Sequence, residues 1–261
     1  MTTTPDHTIA VFIDFENIAL GIKDIKKRFE ISLVLDRLVE KGKIIVKKSY
    51  ADWARYADYK RELHERAIEL VEIPKRAMTG KNSADIRMVV DAMDLSYSKE
   101  HIDTFVILSG DSDFSPLISK LKENGKHVIG MGLKDSTSEL LVRNCDEFIY
   151  YEDLERTKHV PTIERQVPST RREAYELLLE AIEALLREDK EILWASLVKQ
   201  TMKRKRPQFS ESYHGFGSFS ELLEDAAKDH LINITKDARS GTYVVTGYGD
   251  DKARKAAAAK G

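Results

Sequence analysis

Four aspartates carry the chemistry that this sequence advertises. Asp14 closes the apolar run IAVFID, Asp85 follows Asn82 and Ser83 in KNSADIRM, and Asp111 and Asp113 stand in ILSGDSDF. Each falls where an apolar, strand-like stretch gives way to a helical one. In a parallel α/β sheet such junctions share one edge, at the carboxyl ends of the strands, and ligand sites form there beside the point where strand order reverses. Three junctions therefore deliver carboxylates to one cleft, with Asn17 a turn beyond Asp14. Carboxylates crowded together raise one another's pKa unless a cation lies among them. A hard, oxygen-liganded ion such as Mg2+ or Mn2+ suits them: Mg2+ takes one or two carboxylates, keeps several waters and completes its shell with phosphate oxygens. Such a site activates water and stabilises the charge built up by in-line displacement on a phosphodiester. Singly, each acid has a plainer role: Asp14 as a strand end, Asp85 as a complement to the helix dipole, the 109–113 run as an N-cap. Together they favour the chemical reading, because folding does not call for clustered buried carboxylates.

The elements that must position these acids are legible as alternating textures. Apolar runs at Ile9–Ile13, Ile44–Tyr50, Ile68–Ile73, Phe105–Leu108, Val128–Met131 and Glu147–Tyr150 read as strands. Amphipathic stretches lie between them, for example Ala84–Leu95, with Ile86, Val89, Val90 and Met93 expected on one buried stripe. That alternation predicts an α/β, Rossmann-like domain over residues 1–153, with a mostly parallel central sheet covered on both faces. From Glu152 to Thr170 periodicity dissolves around two prolines, which predicts a linker over 154–170. A second texture follows: helices at Arg171–Leu186, Trp194–Met202 and Phe219–Asp229, then Leu231–Thr235 and Tyr243–Thr246 flanking a Ser240-Gly241 turn. Three helices and a terminal hairpin over 171–248 outline a small α+β winged helix. The polar, Ala-rich stretch 249–261 is expected to be disordered.

Composition narrows the classes. The 261 residues hold 42 Lys and Arg against 44 Asp and Glu, a net charge of −2, so any nucleic-acid contact must come from local patches. One cysteine, Cys145, allows no intramolecular disulfide and no zinc site built on paired thiols, and is expected to be a packing residue. None of the seven histidines has a partner pattern that suggests nucleophilic catalysis. No secretory leader or membrane span is apparent, which points to the cytoplasm. A haloacid-dehalogenase type of phosphatase would place DxD after the first strand, where this chain has Asp14-Phe15-Glu16.

In order along the chain, IDFEN, KNSADIRMVVDAM and ILSGDSDFSPLI resemble the NYN domain of the LabA/DUF88 group, a branch of the PIN-like nucleases, over about Thr8 to Tyr151. The resemblance implies that Asp14, Asp85, Asp111 and Asp113 hold a metal, with Asn17 as the polar residue of the first motif, and that the activity is cleavage of single-stranded RNA. Asp91 matches a further acid on the central helix, but six residues beyond Asp85 is about 9 Å along the axis, so it reads as structural or outer-shell. Arg172 to Gly247, with Gly215-Phe216-Gly217-Ser218-Phe219 leading into a helix, is similar to the OST-HTH/LOTUS domain, which implies RNA binding or protein docking.

Candidate RNA contacts follow from position. Arg76 and Lys81 share a junction with Asp85, and Lys75, Lys47, Lys48, Trp53, Arg55 and Tyr56 lie near the same edge. In the second domain Lys203, Arg204, Lys205 and Arg206 form a basic run suited to phosphates, and Tyr213, His214 and Phe216 are weaker stacking candidates. The expected function is a metal-dependent endoribonuclease, using Mg2+ or Mn2+, with a C-terminal module that binds RNA or a protein partner. The alternative is a non-catalytic RNA-binding adaptor that keeps the acidic cleft.

Overall fold

A computed structural model describes residues 7–24, 28–73, 83–154, 161, 163, 168–188 and 190–249. The chain divides into two compact units, Met1–Arg156 and Thr157–Gly261. Among the described residues no helix is long and apolar enough to cross a membrane.

The first unit is built on a six-stranded sheet in the order β3-β2-β1-β4-β5-β6, with every pairing parallel rather than most of them. Its strands are β1 (His7–Asp14), β2 (Gly42–Ala51), β3 (Glu69–Glu72), β4 (Thr104–Leu108), β5 (His127–Gly132) and β6 (Glu147–Tyr150). Central strands of a sheet covered on both sides read as unbroken apolar runs, and β1 and β4 are buried along nearly their whole length. Alternation then sends their side chains to two cores. Ile9, Val11, Ile13, Val106 and Leu108 face one, covered by α1 (Phe15–Asp24), α2 (Ile31–Lys41) and α3 (Ala57–Glu65). Ala10, Phe12, Phe105 and Ile107 face the other, covered by α4 (Ser83–Ser98), α5 (Ser115–Glu123) and α6 (Glu139–Asn144). The connections from β1 to β3 cover the first face, and the return crossover through α4 covers the second. Strand order therefore reverses between β1 and β4, where α/β sheets open a crevice at their carboxyl ends.

Helix α4 departs from the expected stripe. Ile86 and Val90 point outward, at 63% and 55% exposure, while Met88, Ala92 and Ser96, spaced by four, are buried. With apolar residues at 86, 88, 89, 90, 92 and 93, nearly every face of the helix is apolar somewhere, and sheet packing rather than periodicity selects the buried one. The stretch read as featureless from Glu152 begins with a short helix α7 (Tyr151–Leu154), whose Tyr151 is buried against Phe29.

The second unit opens with α8 (Ser169–Arg187), whose Tyr175, Leu178, Ala181, Ile182 and Leu185 line its core. The short strand β7 (Leu193–Trp194), α9 (Ala195–Lys205), α10 (Phe219–Lys228), β8 (Ile232–Lys236) and β9 (Tyr243–Tyr248) follow. The three strands form an antiparallel sheet in the order β7-β9-β8. Gly241, at φ +68°, supplies the left-handed residue in the β8–β9 turn, and Asp237 accepts hydrogen bonds from the Arg239 and Ser240 amides there.

Candidate active site

Asp14 is the last residue of β1, and alternation places its carboxylate on the α4–α5 face, the same face as Phe12. It is only 6% exposed. Ser109 directly follows β4 and keeps strand pairing, its amide donating to the Met131 carbonyl at 3.0 Å. It thus continues the alternation of Phe105 and Ile107 and meets Asp14: Ser109 Oγ donates to Asp14 Oδ2 at 2.9 Å. The Asn17 amide, in the first turn of α1, donates to Asp14 Oδ1 at 3.3 Å, and Asn17 Oδ1 accepts from the Gly110 amide at 2.9 Å. Asn17 therefore ties the β1 junction to the β4 junction across the crevice.

The loop after β4 is fixed by its own polar groups. The Asp111 amide donates to Ser109 Oγ at 3.2 Å, and Asp111 Oδ1 caps a single 3-10 turn, Ser112–Phe114, by accepting from the Asp113 amide at 3.0 Å. Gly110 is required by close approach, since a Cβ there would lie 2.5 Å from the Ser136 carbonyl oxygen. On the other side, the first turn of α4 brings in a half-buried Asp85.

Electrostatics show that these acids share one field. Burial lifts the Asp14 carboxyl from the ordinary 3.8 to about 7; Asn17 and Ser109 oppose that rise, and the charges of Asp85 and Asp111 add to it. Burial also raises Asp85, reinforced by Asp111, Asp113 and Glu16. The charges of Asp85 and Asp111 thus act on Asp14, those of Asp111 and Asp113 act on Asp85, and Asn17 bridges two of the junctions. Sequence reasoning did not single out Ser109 and Glu16. Glu16 accepts from the Asp52 amide at 3.1 Å and pairs with Arg55 at 3.7 Å, while adding negative charge at Asp85.

Among the described residues no three His, Cys, Asp or Glu side chains already form a metal-holding group. The donor set nonetheless fits a hard divalent cation. It is all oxygen, neighbouring carboxylates add to the rise at Asp14 and at Asp85, and Mg2+ asks for only one or two direct carboxylates.

Other expected contacts are placed differently. Arg76, Lys81 and Lys75 lie outside the described residues. Trp53 and Tyr56 are not stacking platforms: at 1% and 6% exposure they pack around Phe15, and Trp53 Nε1 donates to the Val71 carbonyl. Lys48 pairs with Asp91 at 3.2 Å and Glu69 at 3.6 Å, and Lys47 donates to the Arg66 carbonyl. Asp91 also accepts from the Tyr50 hydroxyl at 2.9 Å and from Arg87 at 2.9 Å, which anchors α4 to β2. Cys145 is half-buried, donates to the Leu141 carbonyl, and burial pushes its thiol up to about 12. Lys203, Arg204 and Lys205 occupy the last turn of α9 and Arg206 follows it, all in the second unit. Nearby, His214 and Phe216 are buried and Tyr213 is 72% exposed.

Compared with known proteins, residues 8–154, more than half of the chain, match the NYN domain family. An uncharacterized protein of the archaeon Methanocaldococcus jannaschii is 34% identical over 146 residues, which are 55% of this chain and 55% of that protein; the match thus spans about half the length of each. A protein of unknown function from Vibrio parahaemolyticus superposes with a TM-score of 0.51 at 20% identity, covering 59% of this chain and 98% of that one, a likeness of fold alone.

Proposed function

Because the chain belongs to the NYN domain family, a nuclease-like group that acts on nucleic acids, we propose that it is a metal-dependent endoribonuclease hydrolysing RNA phosphodiester bonds. The observation that carries this reading is the shared field of Asp14, Asp85, Asp111 and Asp113 at the β1/β4 switch point. Mg2+ or Mn2+, which these carboxylates would hold, would supply positive charge for a water nucleophile and for the phosphate oxygens. The chain's own residues supply position. Ser109 and the Asn17 amide hold Asp14 in one orientation, Asn17 locks the Gly110 amide, and Asp111 braces the turn that presents Asp113. Rigid placement of this kind is what phosphoryl-transfer sites require of the protein.

The finer assignments belong to the same proposal: membership of the LabA/DUF88 group, a cytoplasmic location, and an OST-HTH/LOTUS winged helix in the second unit. The three helices and three-stranded antiparallel sheet of that unit support the last of these. There Lys203, Arg204, Lys205 and Arg206, with exposed Tyr213, would meet RNA, or the unit would dock a protein partner. Arg76 and Lys81 remain proposed phosphate contacts beside Asp85 in sequence.

The test is cleavage of a mixed-sequence single-stranded RNA with Mg2+, Mn2+ or EDTA, comparing the wild type with Asp14→Asn and Asp111→Asn. Metal-dependent cleavage lost in both variants is the expected result. No cleavage, or equal cleavage by all three proteins, overturns the enzyme in favour of an RNA-binding adaptor.

A further inference from the structure

Helix α4 keeps a line of apolar side chains in the open. Ile86, Val90 and Tyr97 are three of the nine large hydrophobic side chains left exposed among the described residues, and the other six are spread over the rest of the chain. With half-buried Met93 they fall at spacings of four, three and four, which keeps them on one face of the helix. Met88, Ala92 and Ser96 fill a different side, against the sheet, so the line is turned away from the core of its own unit. Exposed hydrophobics scattered singly are ordinary, whereas a contiguous line marks a contact surface. We infer that this face of α4 is a homodimer interface: two copies of the chain lay their α4 helices antiparallel about a two-fold axis level with the point between Val90 and Asp91.

A second copy is the occupant because the helix is complementary to itself. Alternating spacings of three and four make the seam of a coiled coil, in which side chains of one helix enter gaps in the other. At a rise of about 1.5 Å per residue, reversal about that midpoint sets Ile86 of one copy midway between Met93 and Tyr97 of the other, about 3 Å along the axis from each. Met93 falls in the same way between Val90 and Ile86. The charges agree with this register. Arg87 and Asp94 are seven residues apart, so they lie on one flank of the seam, equally far from the midpoint. Reversal therefore puts Arg87 of each copy beside Asp94 of the other, twice per dimer. Arg87 donates through Nε to Asp91 of its own helix at 2.9 Å, yet its side chain is 58% exposed, and Asp94 is exposed as well. A parallel pair would send the two flanks to opposite sides and separate these charges. One helix of 16 residues offers less than the roughly 800 Å² per partner of a standard interface, so the dimer dissociates on dilution, with a Kd in the micromolar range. Tyr97 of the second copy stands level with Ala84 and Asp85, so pairing covers the turn that carries Asp85, whatever chemistry the cleft performs.

Sedimentation velocity on the full chain, from low-micromolar to sub-millimolar concentration, tests the interface. A concentration-dependent shift from monomer to dimer is expected, abolished by Val90→Glu and kept by Leu20→Glu, an exposed apolar position on α1 across the sheet. A chain that stays monomeric throughout overturns the dimer and leaves the line to the second unit or to a different protein. Unchanged dimerisation in Val90→Glu, at a wild-type melting temperature, overturns it too. Mixing tests the pairing itself. Arg87→Glu turns both ion pairs into acid against acid, and Asp94→Arg turns both into base against base, so each alone should raise Kd about tenfold. An equimolar mixture of the two variants restores opposite charges at both contacts and should dimerise at close to the wild-type Kd. Arg87→Glu also loses the bond to Asp91, but mixing cannot repair a defect within one chain, so recovery reads the pairing between copies. A mixture no tighter than the separate variants, or single variants as tight as the wild type, overturns the antiparallel pairing.

Discussion

Replacing Asp14 with Asn should make the metal-free protein more stable, by an amount that grows with pH. The Asp14 carboxyl is raised from 3.8 to about 7, chiefly by burial. The folded state therefore holds this proton more tightly than the unfolded chain does. Its stabilising contribution is complete below about pH 3.8 and is lost as pH rises through about 7. At 1.36 kcal/mol per pK unit, the loss amounts to about 4 kcal/mol at pH 8 and about 2 kcal/mol at pH 5. Asn keeps the shape and cannot ionise; Ser109 Oγ needs only to reorient to accept from the new amide. The stability advantage of Asp14→Asn over wild type should therefore widen by about 2 kcal/mol between pH 5 and pH 8. That is about 4–8 °C in melting temperature for a unit of this size. Trp53, buried beside Phe15, reports on this unit by fluorescence in a Trp194→Phe background, which silences the tryptophan of the second unit. Millimolar Mg2+ should return most of the lost stability to wild type at pH 8 and little to the variant. Parallel pH profiles for the two proteins in EDTA would refute the reasoning, because Asp14 would then ionise as freely in the folded chain as in the unfolded one.

Ser109→Ala removes a donor that holds the ionised form of Asp14 and an acceptor for the Asp111 amide. Metal-dependent cleavage should fall about 10- to 100-fold, with its pH profile displaced to higher pH because Asp14 is harder to ionise; an unshifted profile in a pH-rate series counts against the role. Gly110→Ala drives a Cβ against the Ser136 carbonyl and should cost about 1–3 kcal/mol in denaturant unfolding together with most activity. Neutralising Lys203, Arg204, Lys205 and Arg206 should weaken RNA binding and flatten its log–log salt dependence by about 0.7 for each phosphate no longer neutralised, as measured by fluorescence anisotropy across a salt series. Leu178→Ala, in the buried core of the second unit, should destabilise that unit by about 2–5 kcal/mol, read from thermal unfolding followed at Trp194.

What the sequence made legible is what backbone order dictates. Both central strands read as unbroken apolar runs because both faces are covered, and Asp14 and Asp111 fall at or just beyond their carboxyl ends. Once those strands are parallel, topology alone brings the acids to one edge. What it hid depends on competition between side chains. Lys48 looked like a phosphate contact until Asp91 and Glu69 were seen to occupy it. Trp53 and Tyr56 looked like stacking surfaces until Phe15 gathered them inward, and residue type does not say which way a ring faces. Helix α4 carries apolar residues on nearly every side, so its buried face follows from what the sheet offers.

Ser109 is the instructive case, because a signal for it was present. The register pairs Ile13 with Leu108, so the residues one step on, Asp14 and Ser109, lie side by side. Strand parity puts both on the face that already holds Phe12 and Ile107. Two polar residues forced together on a buried face must satisfy each other or remain costly, and a hydroxyl beside a carboxylate does so by donating. Register combined with alternation therefore predicts not only which acids meet but which neighbour orients the most buried of them. The same logic extends to residues flanking any pair of central parallel strands that end in polar groups at a switch point.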